Sequence, residues 1–159
     1  MMLEIDGWKV NMKFAAAHFI PSHHKCSRLH GHDYALRIRV FGEPTEGILY
    51  DFVELKKEAR KICDALDHHL LVPRNSDAME VIREQEKVKI KFGDKEYTVP
   101  EEDVVYIDVS LPSAEELASY FARRLRESIK FPENVKGLEV CIDEGPGQGA
   151  CEYIELGDV

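Results

Sequence analysis

The chain lacks several features that would define its class on their own. Its 159 residues contain no stretch approaching the ~18 consecutive apolar residues that span a bilayer. The segment Met1–Asp6 has no basic region followed by an apolar run, so we expect no secretory signal. Internal repeats, low-complexity runs and long linkers are also absent from the sequence. These absences predict one cytoplasmic domain over residues 1–159, with no membrane partner.

Cysteine and positive charge are both in short supply. The cysteines, at positions 26, 63, 141 and 151, form no CxxC pair, and we expect free thiols rather than a disulfide framework. The formal net charge of -9 argues against a nucleic-acid partner, whose footprint is a basic stripe. An anionic small-molecule substrate remains compatible with this charge, because Lys25 and Arg28 could form a local positive pocket. Ordinary surface charge explains these two residues equally well.

Histidine, by contrast, is concentrated in one region. The segment Cys26-Ser27-Arg28-Leu29-His30-Gly31-His32 follows a strand-like run that ends at His18. His30 and His32 share the parity of the apolar residues after them, so all three imidazoles meet at the end of a buried sheet face. Three neutral imidazoles suit Zn²⁺ and leave a coordination position open. Spacing leaves Cys26 equally explained as a fourth ligand that closes a structural site or as a catalytic thiol beside an open one.

The periodicity of the rest of the chain predicts an α+β fold with two helices on one face of an antiparallel sheet. Apolar alternation predicts strands over residues 8–18, 30–41, 48–50, 138–144 and 150–156, with a β-hairpin over 87–92 and 95–99. Capping residues predict helices after Asp51 and over 114–129.

Three acidic positions and one further histidine are candidates outside the histidine segment. Asp67-His68 has the composition of an acid/base pair, although a helix cap or surface pair is the commoner explanation. Glu144 ends an apolar strand face, which fits either a functional acid or a solvated strand end. Glu115 lies in the first turn of a predicted helix, where it could simply complement the helix dipole.

Together these residues resemble the 6-pyruvoyl-tetrahydropterin synthase / 6-carboxy-tetrahydropterin synthase family. The ordered motifs are Ala15-Ala16-Ala17-His18, the Cys26–His32 segment, Tyr50-Asp51-Phe52-Val53-Glu54-Leu55-Lys56, Leu66-Asp67-His68-His69, Ser113-Ala114-Glu115 and Glu144. The three-residue gap between Cys26 and His30 is similar to that of the carboxy-tetrahydropterin branch. Residues 71–110 are longer than the usual connection, and Asp143-Glu144-Gly145-Pro146 departs from the usual Glu-Thr context.

The resemblance implies a tunnelling fold (T-fold): a four-stranded antiparallel sheet and two helices per subunit, here with an inserted β-hairpin. It implies a homohexamer, a dimer of trimers, with active sites between subunits. It also implies zinc on His18, His30 and His32, and a Cys26 catalytic thiolate. Asp67 and His68 would relay protons from a neighbouring subunit, while Glu144 and Glu115 would bind the pterin ring.

The implied reaction converts 7,8-dihydroneopterin triphosphate to 6-carboxy-5,6,7,8-tetrahydropterin, acetaldehyde and triphosphate, in a deazaguanine (queuosine or archaeosine) type of pathway. Two alternatives stay within pterin chemistry, namely pyruvoyl-tetrahydropterin formation and an aldolase-like release of 6-hydroxymethyl-dihydropterin. A third is a zinc-stabilised binding module without turnover, which a Cys26 ligand would favour.

Overall fold

A computed structural model describes residues 1–157 of the chain. The helices are α1 (Gly7–Val10), α2 (Phe52–Leu66) and α3 (Ala114–Ser128), with a 3₁₀ turn at Glu101–Asp103. The strands are β1 (Met2–Asp6), β2 (Lys13–His18), β3 (His30–Gly42), β4 (His69–Pro73), β5 (Glu80–Glu84), β6 (Lys87–Phe92), β7 (Lys95–Pro100), β8 (Val104–Ile107), β9 (Val135–Glu144) and β10 (Gly149–Glu155). None of the described helices combines the length and apolar character needed to cross a membrane.

The main sheet has the strand order β10-β9-β3-β2-β4-β8, with β1 paired to β3. Strands β2, β3, β9 and β10 form the expected four-stranded antiparallel unit. The sheet is larger than expected because β4 adds parallel to β2, and β8 adds parallel to β4. Parallel neighbours need a crossover connection, and the chain between β2 and β4 supplies it through β3 and α2. The α+β class is confirmed, with a mixed rather than purely antiparallel sheet.

Helices α2 and α3 each bury one apolar stripe in the main core, as their spacing predicts. Ser113 caps α3 through its hydroxyl, which accepts from the Glu116 N–H, and the Asp51 carboxylate caps α2 by accepting from the Val53 N–H. The stripes consist of Leu55, Ala59, Ile62, Cys63 and Leu66 on α2, and of Leu117, Ala118, Phe121, Ala122 and Leu125 on α3.

Local turn chemistry overrides the predicted strands at two places. Residues 8–10 belong to α1, because the Asp6 side chain accepts a hydrogen bond from the Trp8 N–H and Asn11 ends the turn with a φ of 55°. Residues 48–50 form no strand, and Ile48 only makes an isolated bridge to Thr45. The predicted hairpin over 87–92 and 95–99 is present, but β5 joins it to make a three-stranded sheet.

The expectation of four free thiols is wrong for two of the cysteines. Cys141 and Cys151 form a disulfide, because they lie directly opposite each other on β9 and β10 with their Cα atoms 3.9 Å apart. The spacing of these two cysteines in the sequence does not reveal that they are register partners on neighbouring strands. Cys26 and Cys63 are free. Burial raises the pKa of Cys63 to about 12, as expected for a core thiol.

Candidate active site

The antiparallel pairing of β2 and β3 brings the predicted metal ligands together. His18 is the direct register partner of His30, and His32 lies two residues further along β3 on the same face. Between them, Gly31 allows a close approach, since a Cβ there would lie 2.6 Å from the Ala16 carbonyl oxygen. The ligand atoms of the three histidines all lie within 4.8 Å of one another.

Backbone carbonyls set the orientation of two of the imidazole rings. The His18 Nδ1–H donates to the Pro112 carbonyl at 2.6 Å, and the His30 Nδ1–H donates to the Arg28 carbonyl at 2.7 Å. A carbonyl only accepts, so in its neutral form each ring keeps the lone pair on Nε2. These two Nε2 atoms face each other at 3.0 Å.

This donor set fits a zinc ion. Two imidazole nitrogens bound tetrahedrally at ~2.0–2.1 Å from zinc lie roughly 3.3 Å apart, close to the spacing of the two Nε2 atoms. Two lone pairs facing each other suit a shared cation, and both rings carry the outer hydrogen bond that orients metal-binding histidines in proteins. Burial, His18 being 1% exposed, lowers the pKa of this ring to about 4, which keeps it neutral and available as a ligand.

The histidine cluster opens into a cavity of about 710 Å³ that also contains most of the other predicted site residues. Cys26, Glu115 and Glu144 line it, together with Lys25 and Arg28. A Glu144 carboxylate oxygen lies 3.8 Å from His32 Nε2, and its side chain is 18% exposed. Cys26 is half-buried, but its sulfur is not part of the histidine ligand cluster.

Asp67 and His68 lie elsewhere in the subunit. His68 borders a second cleft, of about 690 Å³, which is also lined by Ala15–Ala17 and shares His32 with the main cavity. The Asp67 carboxylate accepts from the Ala15 N–H and contacts the His68 Nδ1, each at 2.7 Å. The Ala15 N–H, and then the His68 ring, hold the pKa of Asp67 below its usual range. The contact with Asp67 orients the His68 ring, and the ring faces outward because its side chain is 83% exposed. The backbone φ of His68 is 60°.

Sequence reasoning did not identify several residues that shape the cavity. Pro112 and Arg28 orient the histidines through their carbonyl groups, which no side-chain pattern reveals. His23 lines the cavity, and its Nδ1 accepts a hydrogen bond from the Cys26 N–H. The closeness of His23 to Cys26 in the sequence is the signal that could have identified it as a cavity residue.

The whole chain resembles proteins of one family. The family model described as 6-pyruvoyl tetrahydropterin synthase matches residues 8–154. The chain belongs to this family. Its fold is therefore the expected T-fold, and the family's enzymes act on small pterin molecules.

Individual relatives are similar to the chain over nearly its full length. A Methanocaldococcus jannaschii protein provisionally named 6-carboxy-5,6,7,8-tetrahydropterin synthase is 36% identical over 162 residues, which cover 98% of this chain and 99% of the relative. The Haemophilus influenzae 6-carboxy-5,6,7,8-tetrahydropterin synthase is 27% identical, with coverage of 93% and 99%. The crystal structure of Plasmodium vivax 6-pyruvoyl tetrahydropterin synthase matches with a TM-score of 0.91 at 32% identity over 98% of both chains.

Proposed function

We propose that the protein is a zinc-dependent 6-carboxy-5,6,7,8-tetrahydropterin synthase. It would convert 7,8-dihydroneopterin triphosphate and water to 6-carboxytetrahydropterin, acetaldehyde and triphosphate. The observation that carries this proposal is the convergence of three imidazoles, one thiol and a half-buried carboxylate on one cavity. The names of the Methanocaldococcus and Haemophilus relatives support the carboxy branch.

His18, His30 and His32 are the proposed zinc ligands, each as a neutral imidazole. When bound, zinc supplies a Lewis acid that lowers the pKa of substrate hydroxyls and polarises a carbonyl oxygen. The carbonyl partners of His18 and His30 keep the ligating nitrogens directed at one point, so little reorganisation is needed.

Cys26 is the proposed base that takes a proton from the substrate side chain. Its sulfur lines the cavity and stands outside the histidine ligand cluster, which favours a free thiolate over a fourth ligand. A nearby divalent cation favours the thiolate form electrostatically. In the net reaction, triphosphate leaves the terminal side-chain carbon, water adds at the carbon next to the ring, and the bond from that carbon to the rest of the side chain breaks, giving the carboxylate and acetaldehyde. These proton transfers require a second proton carrier beside this base.

The carboxylates of Glu144 and Glu115 are the proposed partners of the pterin ring. A carboxylate accepts two parallel N–H bonds, which matches the N–H groups along one edge of a pterin. Lys25 and Arg28 at the cavity rim would meet the triphosphate, because they supply positive charge on an otherwise acidic protein.

The second proton carrier is proposed to be His68 of a neighbouring subunit. Within one chain His68 borders a different cleft, and its hydrogen bond with Asp67 orients the ring for proton transfer. A homohexamer with active sites between subunits would bring the pair to the cavity.

Replacement of Cys26 tests whether this site turns over substrate. We expect Cys26→Ala to keep one zinc per chain and the wild-type melting temperature, while consumption of 7,8-dihydroneopterin triphosphate falls by about 10³-fold or more. Cys63→Ala is the matched control, since this thiol is buried in the core away from the cavity. Loss of zinc in Cys26→Ala would instead identify Cys26 as a ligand and support the non-catalytic module.

The structural similarity to the Plasmodium vivax enzyme favours a second candidate, 6-pyruvoyl-tetrahydropterin formation. That reaction would use the same metal, thiol and pterin-binding residues, but it would keep the carbon side chain intact. The two reactions therefore differ in whether acetaldehyde is released.

A further inference from the structure

The inserted sheet of β5, β6 and β7 contacts the loop of residues 19–29 that carries Cys26. Phe19, at the start of this loop, is 1% exposed and packs into a second apolar core that the inserted sheet shares with β4 and β8. Its ring centroid lies 4.6 Å from that of Tyr97 and 5.2 Å from that of Phe92. The base of the loop is therefore anchored to the insertion.

A lysine of the insertion reaches further along the same loop. Lys95, the first residue of β7, donates through Nζ to both the carbonyl oxygen and the hydroxyl of Ser27, each at 3.0 Å. Ser27 also donates its N–H to the His23 carbonyl at 2.8 Å and its hydroxyl to the His24 carbonyl at 3.1 Å. Ser27 thus joins the loop to itself and to the insertion.

Ser27 lies between Cys26, which carries the thiol, and Arg28, whose carbonyl orients the His30 ring. The Cys26 carbonyl accepts from the Ile20 N–H at 2.9 Å, and the Arg28 carbonyl accepts from the His30 ring at 2.7 Å. Any shift of the Ser27 peptide therefore moves both the thiol and a proposed zinc ligand.

We propose that Lys95 is a positioning residue, which fixes Cys26 and His30 through its two hydrogen bonds to Ser27. The inserted sheet serves as the rigid support from which this lysine acts. The effect on catalysis rests on the proposed function, whereas the effect on loop geometry does not. Because a displacement of about 1 Å can cost up to about 10²-fold in rate, the loss of one such support is measurable.

Lys95→Met, Lys95→Arg and Lys87→Met test the proposal in the zinc-loaded protein. Lys87 is the matched control, because it is an exposed lysine at the start of β6 on the same inserted sheet. For each variant we would measure kcat and KM with 7,8-dihydroneopterin triphosphate, the melting temperature, and the rate at which iodoacetamide alkylates Cys26 without substrate.

We expect Lys95→Met to lower kcat by about tenfold with a smaller change in KM, and to raise the alkylation rate of Cys26 by about threefold as the loop loosens. Lys95→Arg should restore most of both values, because a guanidinium can donate to both Ser27 oxygens, and Lys87→Met should resemble wild type. Wild-type kcat and alkylation in Lys95→Met, a lowered melting temperature alone, or failure of Lys95→Arg to rescue would each overturn the proposal. If the wild-type protein makes no pterin product, the proposed function fails, and the alkylation rates still decide the role of Lys95.

Discussion

Among single residues, the sequence predicts the clustering of the three histidines better than it predicts what orients their rings. His18, His30 and His32 could be found because strand parity places them on one face, and the register of β2 with β3 confirms that geometry. The carbonyl groups of Pro112 and Arg28 could not be found, since their role depends on tertiary position rather than on side-chain type.

The neutral, buried state of His18 predicts how the metal-free protein responds to acid. The pKa of this ring is about 4 in the folded chain and 6.5 as an ordinary value. Below pH 6.5 the unfolded chain binds a proton that the folded chain refuses, so stability falls from pH 6.5 toward pH 4 by up to about 3 kcal/mol. Urea unfolding of EDTA-treated protein at a series of pH values would measure this loss.

His18→Gln is the control for that titration, because it removes the ionisable ring. The free energy of unfolding of this variant should change much less over the same pH window. Asp67, whose pKa lies below its ordinary value of 3.8, loses its contribution only at lower pH and does not interfere. Identical slopes for wild type and His18→Gln between pH 6.5 and 4 would contradict the account.

At the scale of elements, capping and periodicity predict the two long helices, because both signals are local. The glutamate three residues after each cap accepts its hydrogen bonds from a residue that precedes the cap. Glu54 accepts from the Tyr50 hydroxyl, and Glu116 accepts from the N–H and hydroxyl of Ser110. The parallel strands β4 and β8 could not be predicted in the same way, since their pairing joins segments far apart in the chain.

The cap of α2 can be tested independently of the active site. Asp51→Ala removes the carboxylate that accepts from the Val53 N–H at 2.7 Å, and we expect a loss of about 1 kcal/mol with unchanged kcat. Thermal unfolding should show a decrease of a few degrees. Asp51→Asn should recover most of this stability, because the amide oxygen can still accept. Equal melting temperatures for wild type and Asp51→Ala would show that the cap contributes nothing.

At the scale of the whole molecule, one cavity brings together the proposed metal ligands, Cys26, Glu115 and Glu144, whereas His68 lies at a second cleft that shares His32 with it. A sequence motif contains no information on which subunit supplies it. The separation is nevertheless what a site shared between subunits requires.

Mixed assemblies test that sharing. Cys26→Ala and His68→Ala should each be inactive alone. Unfolding and refolding them together should restore about a quarter of wild-type activity, because in a random mixture about one shared site in four combines an intact Cys26 with an intact His68. Mixing two preparations of the same variant is the control. If the mixture stays inactive although both variants assemble, His68 does not act across a subunit interface.

The central claim is that the cavity around His18, His30 and His32 forms 6-carboxytetrahydropterin. The most direct measurement is to incubate the zinc-loaded protein with 7,8-dihydroneopterin triphosphate and identify all products by mass spectrometry. The account predicts 6-carboxytetrahydropterin and acetaldehyde in equal amounts, with release of triphosphate. A pyruvoyl- or hydroxymethyl-pterin without acetaldehyde, or no turnover by folded protein with zinc bound, would contradict it.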